Sequence, residues 1–121
     1  MNNEKFEKWL APYLAKGKGY IAYNFNLYEF DDEKNAFGAE LVAETSYDPD
    51  DDDWACDTVY SSGDDLFEFS AENWQTAQIE FLTWVAAFIA DNGTAPFGDK
   101  VEFITAGFID GNLHVIYPLE K

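Results

Sequence analysis

The chain contains no arginine, and its seven basic residues are all lysines: Lys5, Lys8, Lys16, Lys18, Lys34, Lys100 and Lys121. Against them stand 24 Asp and Glu among 121 residues, a formal net charge of -17. Neutralising nucleic-acid phosphates needs clustered Lys and Arg, so this balance argues against direct nucleic-acid binding. The polybasic patch that would hold an anionic membrane surface is missing as well. No run approaches the roughly 18 consecutive apolar residues of a membrane span. The N-terminal stretch shows neither an apolar h-region nor a small-residue cleavage site, and the chain reads as cytoplasmic. A single cysteine, Cys56, allows no internal disulfide and fits a reducing compartment.

Catalytic equipment is equally thin. The only histidine, His114, falls in the last expected strand, where a sheet-surface or structural role is the simpler reading. Cys56 lies among carboxylates, which oppose thiolate formation, so it reads as a small buried residue. Glu40 and Glu44 could form an acid–base pair, but strand spacing puts both on the solvent face, where nothing would desolvate them. No glycine-rich phosphate loop, Ser-His-Asp set or zinc-ligand cluster is present. Asp48, Asp50 and Asp52 match positions 1, 3 and 5 of a calcium loop. That loop also needs Gly at position 6 and Glu at position 12, where this chain has Asp53 and Val59. Adventitious divalent binding stays open. No enzyme activity, cofactor or dedicated metal site is expected.

What the chain does have is aromatic bulk. Four Trp, eleven Phe and seven Tyr, within 47% hydrophobic residues, separate it from disordered acidic chains. One domain is the default at this length, with a single core. Phe6, Trp9, Leu10, Tyr13 and Leu14 recur at helical spacing over about residues 3–16, with Pro12 as a blemish. Period-two alternation over 20–30 puts Ile21, Tyr23, Phe25 and Leu27 on one face and Asn24, Asn26 and Tyr28 on the other. A second strand over 37–47 opposes Ala39, Leu41 and Ala43 to Glu40, Val42 and Glu44. The pair forms a hairpin with one apolar and one wet face. Short strands are expected over 58–61 and 66–69. A helix follows, capped by Ser70 with Glu72 in its first turn, running to about residue 90 and stopped by Gly93. Trp74, Ala77, Phe81, Trp84, Val85 and Phe88 form its apolar stripe. Strands over 101–109 and 112–117, joined by Asp110-Gly111, make a second hairpin with a type I′ turn. The order predicts one α+β domain over residues 1–121. Its sheet is mostly antiparallel, built of two hairpins plus short strands, with two helices packed on one face.

The charge is not evenly spread. The first 34 residues hold six acids and five lysines, and the last 22 hold three acids and two lysines. From Asn35 to Asp99 there are 15 acids and no base. The densest part is Asp48-Pro49-Asp50-Asp51-Asp52-Asp53-Trp54, followed by Asp57, Asp64 and Asp65. Such a run is either a solvated loop that aids solubility or a surface for a cationic protein, which would steer association electrostatically. Trp54 either plugs down to anchor the loop or points out as a binding anchor. Tyr47 and Tyr60 flank it. The interleaved aromatics favour recognition. The candidate partner-binding set is therefore Glu40, Glu44, Tyr47, Asp48, Asp50, Asp51, Asp52, Asp53, Trp54, Asp57, Asp64 and Asp65.

With its segment Tyr47-Asp48-Pro49-Asp50-Asp51-Asp52-Asp53-Trp54-Ala55-Cys56, this small acidic chain resembles the immunity proteins of bacterial polymorphic-toxin systems, of the contact-dependent inhibition and Rhs type. The resemblance implies a cytosolic antidote that binds a toxin domain delivered by a sibling cell. Many such toxins are nucleases with basic clefts, which an acidic inhibitor would plug by mimicking phosphates. The implied partner is thus a basic toxin domain. The alternatives are a DNA-mimic inhibitor of a DNA-binding protein, and a housekeeping domain with an incidental acidic loop.

Overall fold

The computed structural model describes residues 2–30, 35–45, 60–63, 65–109 and 113–117. The elements run α1 (Asn2–Lys16), β1 (Ala22–Glu29), β2 (Ala36–Glu44), β3 (Tyr60–Ser61), β4 (Phe67–Ser70), α2 (Trp74–Asn92), a 3-10 turn (Ala95–Phe97), β5 (Phe103–Phe108) and β6 (His114–Tyr117). The fold is α+β, with a mostly antiparallel six-stranded sheet.

Strand order is β3-β2-β1-β5-β6, and β4 also pairs with β2. β1 and β2 form the long hairpin, from Ala22 opposite Glu44 to Glu29 opposite Phe37. β3 and β4 lie in succession along the outer edge of β2: Tyr60 pairs with Ala43, and Phe67 with Ala39. Between Ser61 and Phe67 the outer chain carries more residues than β2 does opposite them, so it bulges outward at Gly63 and Leu66. Ser62 holds the base of this bulge, since its N–H donates to the Leu41 carbonyl (2.9 Å) and its Oγ accepts from the Leu41 N–H (3.0 Å).

The two hairpins meet in a parallel pairing, β1 with β5, from Ala22 opposite Phe103 to Leu27 opposite Phe108. Parallel neighbours need a crossover. Here β4, which runs parallel to β1, feeds α2 across the helical layer into β5. β5 and β6 pair antiparallel, with Ile116 as an extra residue between the Ile104–Tyr117 and Thr105–Val115 pairs. The Asp110-Gly111 turn itself lies outside the described residues.

Period-two alternation sends Tyr23, Phe25, Leu27, Phe37, Ala39, Leu41, Ala43, Ile104 and Ala106 to the helical side, where they join one core cluster. α1 contributes Phe6, Leu10 and Leu14; α2 contributes Ala77, Phe81, Val85 and Phe88. The contacts are ring on ring. Phe81 meets Phe6 and Phe25 edge-on at 5.3 and 5.4 Å and stacks on Phe69 at 5.8 Å. Such offset and edge geometries add to simple area burial. Pro12 stands on the exposed side of α1, where the carbonyl it leaves unbonded can be hydrated.

Three expectations change. α2 begins after Ser70: its cap is Asn73, whose side chain accepts from the Thr76 N–H at 2.9 Å. Ser70 is still strand, paired with Ala36, and the Ala71 N–H donates to Asn35 at 3.1 Å. Sheet pairing there holds the chain extended past the expected cap, and Glu72 precedes the helix. Trp74, expected in the apolar stripe, is 48% exposed. It is the first helical residue and lies at the margin of the layer, edge-on to Phe108 at 6.0 Å. Finally, the second face of the sheet is not uniformly wet. Ala22, Asn24, Val42, Glu44, Phe103 and Thr105 are all buried. The parallel register explains part of this, because it sets Thr105 beside Asn24. The Thr105 hydroxyl donates to Asn24 Oδ1 at 2.8 Å, and Asn24 Nδ2 donates to Asn26 Oδ1 at 2.6 Å. Ala22 and Phe103 pack with Leu113.

Candidate functional site

The segment with the Asp run connects β2 to β3. Its two stems are clamped by the Ala43–Tyr60 pair. Tyr60 is the hinge pin of this end. Its hydroxyl donates to the Tyr13 carbonyl at 2.9 Å, and its ring stacks on Tyr20 at 5.9 Å. The same ring lies flush on Gly17, where a Cβ would come within 2.3 Å of it. Tyr23 secures the layer beneath: its buried hydroxyl sits between the carbonyls of Gly17 (2.6 Å) and Phe97 (2.8 Å) and accepts from the Tyr20 N–H. Burial raises the pKa of both Tyr23 and Tyr60. The stems of the acidic segment thus rest on a tyrosine framework that joins α1, β1 and β3.

Of the candidate residues, Tyr47, Asp48, Asp50, Asp51, Asp52, Asp53, Trp54, Asp57 and Asp64 lie outside the described residues, as does Cys56. Glu40, Glu44 and Asp65 are described, and they occupy three different environments. Glu44 departs from the expected solvent face: it is 1% exposed, at the end of β2 opposite Ala22. A side chain so covered is no part of the open surface.

Glu40 points away from the helices and is held at both oxygens. Tyr28 donates to Oε1 and Ser61 to Oε2, each at 2.7 Å. The Gly63 N–H donates to Ser61 Oγ at 2.8 Å, which leaves the serine proton directed at Glu40. The Tyr28 phenol is pushed up to about 12, by burial first and then by its hydrogen bond to the Glu40 carboxylate and that carboxylate's charge. Tyr28, Glu40, Gly63 and Leu66 line a pocket of about 270 Å³.

Asp65 sits on the bulge and turns to the helical side. Its backbone carbonyl accepts from Trp9 Nε1 at 2.8 Å, and its carboxylate accepts from the Tyr13 hydroxyl. Tyr13 is pushed up to about 12, with the hydrogen bond to Asp65 as the largest cause, then burial and the Asp65 charge. The bulge therefore straddles the sheet edge, bringing Gly63 and Leu66 to the Glu40 side and tying Asp65 to α1.

Tyr28 and Ser61 were missed as partners of Glu40. The hairpin register could have found the first, since residue 28 pairs with 38 and so stands diagonal to 40 on the same face. Nothing local marks Ser61, which arrives through the β3 pairing. His114 is exposed on the edge strand β6, as its surface reading anticipated. Among the described residues no three His, Cys, Asp or Glu side chains group as metal ligands, and no helix is long and apolar enough to cross a membrane. Family models, curated proteins and solved structures yield no match to this chain.

Proposed function

We propose that this protein is a stoichiometric inhibitor that binds a basic protein domain, in the manner of an immunity protein that neutralises its cognate toxin, with a nuclease as the favoured target. The observation that carries this reading is the segregation of charge: 15 acids and no base between Asn35 and Asp99. That stretch supplies α2, β2 and the outer strands β3 and β4 that edge the sheet beside it, all from a segment without a base. Exposed Asp65, Glu68 and Glu72 line this edge. A concentrated negative field speeds encounter with a cationic surface and disfavours wrong partners. The tyrosine framework around the stems supports the reading as well, because a binding segment anchored at both ends loses less freedom on association.

The test is to mix the full chain with the basic protein encoded immediately upstream of its gene. A 1:1 complex, loss of that protein's activity and an association rate that falls with added salt are expected. Replacing Asp50, Asp51, Asp52 and Asp53 together by Asn should slow association roughly tenfold or more at low salt. An unchanged rate and unchanged salt dependence in this variant remove the acidic segment from the interface. No complex at all removes the inhibitor reading.

A further inference from the structure

We infer that the pocket formed by Tyr28, Glu40, Gly63 and Leu66 is an anchor site for a single arginine side chain of the basic partner. The inference rests on the reading of the chain as a binder of a basic protein, and it names the contact that reading lacks. The pocket, about 270 Å³, falls below the roughly 300–1,000 Å³ of small-molecule sites. That is the scale of one side chain.

Its walls have the chemistry of a guanidinium receptor. A carboxylate offers about four acceptor positions, and Glu40 uses two of them, one on each oxygen, for Tyr28 and Ser61. One position per oxygen is left, the pattern a bidentate arginine fork requires. Tyr28 supplies an aromatic wall that favours a cation, and Leu66 supplies an apolar surface for the aliphatic stem. Gly63, at φ 68°, places no side chain over the opening. The relay from the Gly63 N–H through Ser61 to Glu40 fixes the carboxylate before any guest arrives, which lowers the cost of ordering it on binding. Hydrogen bonds to a charged group of this kind change affinity by roughly ten- to a hundredfold.

The probe is Nα-acetyl-L-arginine amide, whose only charge is the guanidinium, titrated into the full chain at low salt and followed by amide NMR shifts. Saturable shifts at Tyr28, Glu40, Ser61, Gly63 and Leu66 are expected. Glu40→Gln should weaken binding about tenfold or more. Glu40→Asp, which keeps the charge but withdraws the carboxylate from Tyr28 and Ser61, should weaken it comparably. Glu80→Gln removes the same charge from α2 and should change nothing. Non-saturating shifts spread over many acidic residues, or full affinity in Glu40→Asp, overturn the site. A basic partner that binds Glu40→Gln as tightly as wild type overturns the anchor and leaves the inhibitor reading standing. Arginine occupancy of the pocket without any basic partner does the reverse.

Discussion

The two faces of the sheet are held by different physics. On the helical side, Phe6, Phe25, Phe67, Phe69, Phe81 and Trp84 form one continuous set of ring contacts. Stability there comes from apolar area and packing, which are non-directional and tolerate modest adjustment. On the other side, buried positions include Asn24, Glu44 and Thr105. Asn24 and Thr105 are matched to each other by a hydrogen bond, and leaving either one unsatisfied would cost more than the bond contributes. The face that α1 and α2 leave open thus adds a buried polar pair and the fixed Glu40 carboxylate, while on the helical side directional bonds at Tyr23, Tyr60 and Asp65 supplement the aromatic packing.

The largest way to test this contrast is Phe81→Ala. The residue is fully buried among four aromatic partners, and truncation should cost about 3–5 kcal/mol by denaturant titration. A cost below that of any polar-face change would invert the comparison. Next comes Thr105→Val, which strips Asn24 Oδ1 of its 2.8 Å donor at a cost of about 1–3 kcal/mol. Adding Asn24→Leu should return part of that loss, since it removes the stranded acceptor but also the 2.6 Å bond to Asn26 Oδ1. Strict additivity in the double-mutant cycle would show that the pair is not a unit.

The smallest effect reads the two tyrosine–acid pairs directly. Tyr13 and Tyr28 both ionise near 12 instead of 10, for different leading reasons. Asp65→Asn should bring Tyr13 well back toward 10, because the hydrogen bond is its largest cause. Glu40→Gln should lower Tyr28 less and leave it above 10, because burial leads there. Tyrosine ring-carbon NMR shifts across pH 9–13 resolve the two. A raised folded-state pKa means that the native state keeps the phenol proton longer than the unfolded chain does. Both contributions to stability are therefore complete below pH 10 and disappear as the pH rises from 10 through 12. Equal falls in the two variants would erase the distinction between the faces.

Much of the fold was legible in local pattern. The helical spacing of Phe6, Leu10 and Leu14 and the alternation of Tyr23, Phe25 and Leu27 name core residues because period alone decides which side chains share a face. The start of α2 was not legible, since Ser70 is as good a cap as Asn73 until its pairing with Ala36 is known. The candidate site was legible as charge and not as geometry. Glu40 and Glu44 look alike in sequence, yet one lines an open pocket with two fixed donors and the other is covered. The two donors that distinguish Glu40 come from β1 and β3.

By itself the sequence determined the composition of the two layers, the α+β class, the hairpin partners and the concentration of negative charge between residues 35 and 99. These depend on near neighbours in the chain, on side-chain period and on counting. Tertiary structure alone decided that β5 lies parallel to β1, that Asn24 meets Thr105, and that Ser61 joins Tyr28 on Glu40. Those two side-chain contacts join residues 21 and 81 positions apart. No local preference encodes them; they follow from an arrangement that buries the aromatic face and brings Asn24 to Thr105 and Ser61 to Glu40 behind it.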